Sequence, residues 1–246
     1  MADEGRPDVA PARSFGRRRG KPLRPRPQRL VDALLPDLRI ALGDAAPGSL
    51  DPMSLFPARK RAIWLEIGFG GGEHLAGQAG RHPDCGLLGA EPFLNGVAKL
   101  LGAIDEAGLD NIRILDDDAR MLLAALRPGS IERAFVLFPD PWPKSRHHRR
   151  RLVNRDTLDG LASALAPGAE LRLATDHAEY GRWILWHLLD HPAFEWLPEG
   201  PGEWRRRPHD WYPTRYEEKA LAGGASCLYL RAIRRPESGP RAPEKA

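Results

Sequence analysis

Between residues 62 and 190 the chain alternates between short continuous apolar runs and stretches whose apolar positions recur every three or four residues. The continuous runs, residues 63–67, 86–90, 112–115, 131–138 and 170–174, predict strands buried on both faces. The periodic stretches, residues 73–80, 94–107, 119–126, 151–165 and 177–189, predict amphipathic helices, and Gly108, Pro128-Gly129 and Pro167-Gly168 close three of them. Two further runs, residues 194–197 and 227–233, predict a final antiparallel strand pair. Strict alternation of strand and helix predicts an α/β architecture: a mostly parallel, seven-stranded sheet with helices on both faces.

Ahead of this block the pattern is weaker. Leu30, Leu34, Leu35 and Leu38 predict a short amphipathic helix over residues 28–42, followed by a loop over 43–57. Glycines and prolines argue against helix in residues 13–29. The expected organisation is a flexible basic N-terminal arm (1–29), one domain (30–235) and a disordered tail (236–246).

Composition changes this picture mainly through charge. The net charge of the 246 residues is only +4, but residues 13–29 hold eight Lys and Arg with no acid, and residues 144–155 hold six more with none. Setting those 14 aside leaves 23 basic against 33 acidic residues. Positive charge is therefore gathered in two places on an otherwise acidic chain, the pattern of a phosphate-binding surface and hence of an RNA partner. No apolar run approaches the roughly 20 residues that cross a membrane. Two cysteines, Cys85 and Cys227, suggest neither a disulfide framework nor a metal cluster, so a reduced cytoplasmic setting and no metal are expected. The sequence leaves monomer and homodimer undecided.

Ligands in such sheets bind beyond the carboxyl ends of the strands. Those ends carry Glu66 and Gly68, Glu91, Asp118 and Asp140. The first turn, Glu66-Ile67-Gly68-Phe69-Gly70-Gly71-Gly72-Glu73, places Glu73 where a dinucleotide fingerprint needs its third glycine, and a pyrophosphate would meet an anion there. Its Glu-x-Gly-x-Gly-x-Gly spacing resembles that of class I S-adenosylmethionine methyltransferases, whose Rossmann-like fold the strand pattern matches. An acid-lined pocket suits a cofactor that carries a sulfonium and an ammonium but no phosphate. Glu91 stands where a ribose-hydroxyl acceptor is expected. Asp118, chosen among Asp116, Asp117 and Asp118 because Ala119 follows it, stands where an acid meets the adenine amino group in that fold.

Beyond the fourth strand the chain reads Asp140-Pro141-Trp142-Pro143-Lys144-Ser145-Arg146-His147-His148-Arg149-Arg150-Arg151. A residue before proline is driven toward extended geometry, so Asp140 is expected to project from a stiff loop next to a run of cations. With residues 65–70, 174–180 and 213–217, this stretch resembles the bacterial tRNA (guanine-N7-)-methyltransferases of the TrmB family over about residues 13–234. The resemblance implies methyl transfer from S-adenosylmethionine to N7 of a guanosine in the tRNA variable loop. It implies a cofactor site of Glu66, Gly68, Gly70, Glu91, Asp118 and Asp140, with Asp140 also the catalytic residue. It assigns Lys144, Asp176, Thr214, Arg215, Tyr216 and Glu217 to the substrate. It assigns Arg146, His147, His148, Arg149, Arg150 and Arg151 to the RNA. Residues 214–217 are expected in a loop that closes over the site. The alternatives are a non-catalytic RNA-binding protein on the same scaffold, a methyltransferase of another RNA, and a small-molecule methyltransferase, which would have little use for two dense basic segments.

Overall fold

The computed structural model describes residues 16–43, 45–198, 200 and 202–236. Seven strands form one sheet: β1 Ala62–Ile67, β2 Cys85–Ala90, β3 Ile112–Leu115, β4 Ile131–Leu137, β5 Leu165–Thr175, β6 Phe194–Trp196 and β7 Leu228–Arg234. Their order is β3-β2-β1-β4-β5-β7-β6. The first five strands run parallel; β7 is antiparallel to both β5 and β6. This is the mostly parallel sheet with an antiparallel C-terminal pair that the hydrophobic pattern predicts.

Strand side chains alternate between two cores. Ile63, Leu65, Ile67, Ala134 and Val136 face one apolar cluster, covered by helices α5 (Ala119–Ala125), α6 (Arg155–Ala164) and α7 (Ala178–Asp190). Ala62, Trp64, Phe135 and Leu137 face the other, covered by α3 (Glu73–Arg81) and α4 (Leu94–Ala107) with Ala220 of α8 (Arg215–Ala222). With both faces covered, polar positions have no solvated side to occupy, so the central strands read as continuous apolar runs. The order reverses between β1 and β4, and the crevice beyond their carboxyl ends is the switch point where this architecture binds ligands.

Several local expectations give way. The helix expected over 28–42 is two: α1 (Pro25–Ala33) and the single turn α2 (Leu35–Leu38). Pro25 and Pro27 do not block α1, because first-turn amides need no partner within the helix; Pro36 likewise sits in the opening turn of α2. The described part of the N-terminal arm lies on the domain. Arg18 O accepts from Leu94 N at 3.0 Å, Gly20 N donates to Asn95 Oδ1 at 2.8 Å, and Arg18 pairs with Asp117. Acids on the domain surface attract the arm that charge counting assigned to RNA alone. The tail beyond 236 and residues 1–15 lie outside the described residues.

The helix expected over 151–165 begins only at Arg155, where the Asn154 side chain accepts from Thr157 N. Residues Ser145–Arg150 form a separate 3-10 turn. Residues 214–217, expected as loop, are the cap Thr214 and the first turn of helix α8 (Arg215–Ala222). Among the described residues, no helix is long and apolar enough to cross a membrane.

Candidate active site

A cleft of about 750 Å³ opens at the switch point. Its floor is the turn after β1. Gly68, Gly70 and Gly72 all have positive φ, the left-handed region where a side chain is strained. Gly70 is packed between two walls: a Cβ on Gly96 of α4 would fall 2.1 Å from Gly70 O, and one on Gly70 would fall 3.1 Å from Tyr216 of α8.

The acid after β2 holds this turn. Glu91 is 8% exposed, and its carboxylate accepts from Gly70 N (Oε2, 2.9 Å) and Phe93 N (Oε1, 2.9 Å). Burial raises its pKa above the ordinary carboxylate value; the two amide bonds oppose that, and the charges of Asp140 and Glu66 add to it. A cation in the cleft would relieve this repulsion. Asp118 caps α5 and pairs with Arg120, which it also meets through the Arg120 amide. Burial opposes its ionisation, but Arg120, with Arg18 further off, holds its pKa below the ordinary value.

Glu66 does not line the cleft. It lies behind the turn, buried, with Oε2 2.8 Å from His74 Nδ1 of α3. Gln78 Nε2 lies 3.1 Å from His74 Nε2 and also donates to Asp210 O at 2.9 Å. The amide must present its NH2 to that carbonyl, so His74 Nε2 acts as the acceptor and Nδ1 carries the proton toward Glu66.

The opposite wall is the loop after β4. Phe138 (φ 50°) and Trp142 (φ 42°) both take left-handed backbone, which costs about 1–3 kcal/mol each for non-glycine residues. The strain is over-determined: Phe138 N donates to Ala174 O at 2.8 Å, and the Trp142 ring carries Arg150 at 4.9 Å and the edge of His147 at 5.8 Å. Between them Asp140 is exposed on the cleft, and among the described residues its carboxylate makes no hydrogen bond or ion pair.

The structure thus brings Gly68, Gly70, Glu91, Asp118, Asp140, Asp176, Tyr216 and Arg149 to Arg151 around one cleft. Lys144 and Arg146 are exposed beside it. His147 has its pKa pushed down by partial burial and by Arg150, Arg146, Lys144 and Arg149. His148 meets the Trp183 ring edge-on, with centroids 5.5 Å apart.

Besides Glu66, three residues sit otherwise than the sequence suggests. Thr214 is spent on the cap of α8. Glu217 is fully buried, accepting from Trp211 Nε1 at 3.0 Å and Tyr229 OH at 2.5 Å, so its carboxylate faces the core and not the cleft. Arg151 is 1% exposed, pairs with Glu179 and donates to Pro141 O, so its guanidinium is buried within the protein. Arg215 remains exposed beside Tyr216, donating to its hydroxyl at 2.9 Å. Gly16, Arg17 and Phe93 also line the cleft and were not anticipated; nothing in the local sequence marks them, because the arm reaches the site only through the fold. Among the described residues no group of three or more His, Cys, Asp or Glu is disposed to hold a metal ion.

Comparison with known proteins agrees with this geometry. A family model described as "Putative methyltransferase" (Methyltransf_4) matches residues 60–229. A Rhodospirillum rubrum protein named tRNA (guanine-N(7)-)-methyltransferase is 54% identical over 228 residues, covering 92% of this chain and 89% of its own length. Proteins of the same name from Hyphomonas neptunium and Brucella melitensis are 51% and 45% identical, covering 85% and 96% of this chain and 94% and 100% of theirs. Among solved structures, the 16S rRNA methyltransferase KamB superposes with a TM-score of 0.53 at 15% identity, over 72% of this chain and 89% of its own. A 16S rRNA (adenine(1408)-N(1))-methyltransferase from Catenulisporales acidiphilia gives 0.51 at 21%, over 74% and 89%. These two share the fold; the sequence relatives carry more, and the chain belongs to the tRNA (guanine-N(7)-)-methyltransferase family.

Proposed function

We propose that this protein transfers a methyl group from S-adenosylmethionine to N7 of a guanosine in tRNA, in the variable loop that the sequence resemblance implies, and that it works in the cytoplasm. The observation that carries the reading is the placement of Asp140: an exposed carboxylate on a strained, proline-fixed loop, facing an acid-lined cleft on one side and a cluster of cations on the other.

The residues present fit the cofactor. Glu91, buried and pushed toward protonation by burial and by Asp140 and Glu66, is a site that gains from a positive ligand. Its carboxylate still has lone pairs for ribose hydroxyls after the two amide bonds, since a carboxylate offers about four acceptor positions. Asp118 and the Gly68–Gly70 backbone line the same cleft. When bound, S-adenosylmethionine supplies an electrophilic methyl group on a sulfonium.

Guanine N7 has a lone pair and no proton, so no residue here has to remove one. What the chain must do is hold the base in line and stabilise the positive charge that the purine acquires. Asp140 is placed for both: its carboxylate accepts from the N1–H and amino edge of the guanine and opposes the cation formed on the ring. Asp176, exposed just past β5, lines the same side of the cleft and supports the same edge. Lys144, Arg146 and Arg149 are exposed, with His147 and Arg150 half-buried against Trp142, and this set of cations meets the phosphates of a nucleotide splayed out of its loop. Tyr216 closes the cleft against the glycine turn.

The test is mass spectrometry of nucleosides from tRNA incubated with the protein and S-adenosylmethionine. 7-Methylguanosine is the expected product, and another methylated nucleoside, or none, sinks the reading.

A further inference from the structure

We propose that Arg151 is a positioning residue for the Asp140 loop and does not bind the RNA backbone; this rests on the catalytic reading of Asp140 given above. Arg151 ends a run of cations, and by sequence it looks like its neighbours. Its environment is different. The side chain is fully buried, whereas Arg149 is exposed and Arg150 partly so.

The guanidinium lies between two aromatic faces of α7, 5.0 Å from the Tyr180 ring and 4.8 Å from the Trp183 ring. Nη1 donates to Glu179 Oε1 at 3.1 Å and Nη2 pairs with Glu179 Oε2. Nε donates at 2.9 Å to the carbonyl of Pro141, the residue after Asp140. The same two aromatics grip the chain just beyond: Trp183 Nε1 donates to Val153 O at 2.7 Å, and Val153 N donates to Tyr180 OH at 3.2 Å. Arg151 therefore joins the Asp140 loop to α7.

The arrangement answers a question the loop raises. Left-handed backbone at Phe138 and Trp142 persists only if something fixes the residues between them. Prolines set φ at 139 and 141 but supply no amide donor. A buried cation on the carbonyl of Pro141, with its charge met by Glu179, supplies the missing tether. A planar fork on two rings with one donor to spare is a task for arginine; lysine offers a point charge and no such geometry.

The experiment separates positioning from RNA contact. Arg151→Lys, Arg151→Gln and Glu179→Gln are compared with Arg149→Ala in two measurements: single-turnover methylation at saturating tRNA and S-adenosylmethionine, and tRNA affinity over a salt series. For Arg151→Lys the expected result is a rate lowered by roughly 10²-fold, the scale of a misplacement of about 1 Å, with tRNA affinity and its salt slope as in the wild type. Glu179→Gln leaves the Pro141 contact in place and slows the reaction less, again with the slope unchanged. It carries the test if Arg151→Lys does not fold. Arg149→Ala serves as the reference for an RNA contact, with a flatter slope expected. A flatter slope in the charge-removing Arg151→Gln, with Arg151→Lys at the wild-type rate, would make Arg151 a phosphate ligand and overturn the proposal, as would wild-type rates in both Arg151→Lys and Glu179→Gln. A wild-type protein that methylates no tRNA would instead remove the function on which the proposal rests.

Discussion

Two carboxylates share the cleft but have opposite surroundings. Glu91 is buried and held by two amides, whereas Asp140 is exposed and without a protein partner among the described residues. In the proposed function the first binds the cofactor and the second meets the substrate. Glu91→Ala removes both the ribose acceptor and the tether on Gly70, and is expected to weaken S-adenosylhomocysteine binding by at least about 1.5–3 kcal/mol, the scale of one hydrogen bond to a charged group. Calorimetry on the tRNA-free protein reads this directly; unchanged affinity would remove Glu91 from the site.

The raised pKa of Glu91 also sets a pH dependence. The ionised form is the one that accepts from the ligand, so affinity is present above its pKa and is lost as pH falls through it. Because burial, with Asp140 and Glu66 behind it, raises that pKa, the loss begins above the roughly 4.3 of a free glutamate. Asp140→Asn removes one of the repelling charges, so the acid limb should move to lower pH in that variant. A limb that stays put when Asp140 is neutralised would mean that another group titrates there.

At the scale of elements, α8 is the clearest departure from what the sequence offered. Pro213-Thr214-Arg215-Tyr216-Glu217 reads as a loop, since a proline precedes only two turns of weakly amphipathic helix. The cap at Thr214 and the inward turn of Glu217 become visible only when Trp211 and Tyr229, from elsewhere in the chain, supply the donors. The line continues through the Trp211 ring, 5.1 Å from His74, to Glu66 behind the glycine turn. Both walls of the cleft thus share one buried scaffold. Tyr229→Phe removes the close donor of buried Glu217 Oε1 and leaves it, among the described residues, only Arg207 Nε at 3.5 Å, a loss of about 1–3 kcal/mol. It should lower the stability measured in urea by that amount and weaken cofactor binding through Tyr216, while leaving tRNA affinity unchanged. Loss of tRNA affinity alone would return Glu217 to the substrate.

The strands and their order were legible because both faces of the sheet are covered and the apolar runs are continuous. That Glu91, Asp118 and Asp140 share one cleft was legible because strand ends are topologically fixed positions, whereas the inward turn of Glu66 toward His74 was not. Charge runs were less so: composition counts cations without saying which way they face. Of the three arginines 149 to 151, the last is turned inward by Tyr180, Trp183 and Glu179, all on α7, which begins more than twenty residues later.

For the whole molecule, the proposal implies a smaller RNA footprint on the loop and a second task for the arm. Arg18 pairs with Asp117 and Arg26 with Glu106, so part of the arm's charge is met by the domain itself. Each phosphate neutralised contributes about 0.7–0.9 to the slope of log affinity against log salt. Replacing Arg149 and Arg150 by alanine should therefore flatten the slope by up to about 1.5 units. Deleting residues 1–29 should flatten it independently. It should also weaken cofactor binding, because Gly16 and Arg17 line the cleft. Titrations of tRNA over a salt series, with and without S-adenosylhomocysteine, distinguish the two effects; slopes that coincide for wild type, double mutant and deletion would place the RNA on another face.

Asp140 carries the proposed chemistry, and its most direct test is the single-turnover rate of Asp140→Asn on tRNA, with tRNA and S-adenosylmethionine affinities measured alongside. Methyl transfer slowed by on the order of 10²-fold or more, with both ligands still bound, is the predicted result, the scale for losing one placed electrostatic stabiliser. A rate equal to that of the wild type at saturation would contradict it and move the catalytic role to another residue of the cleft.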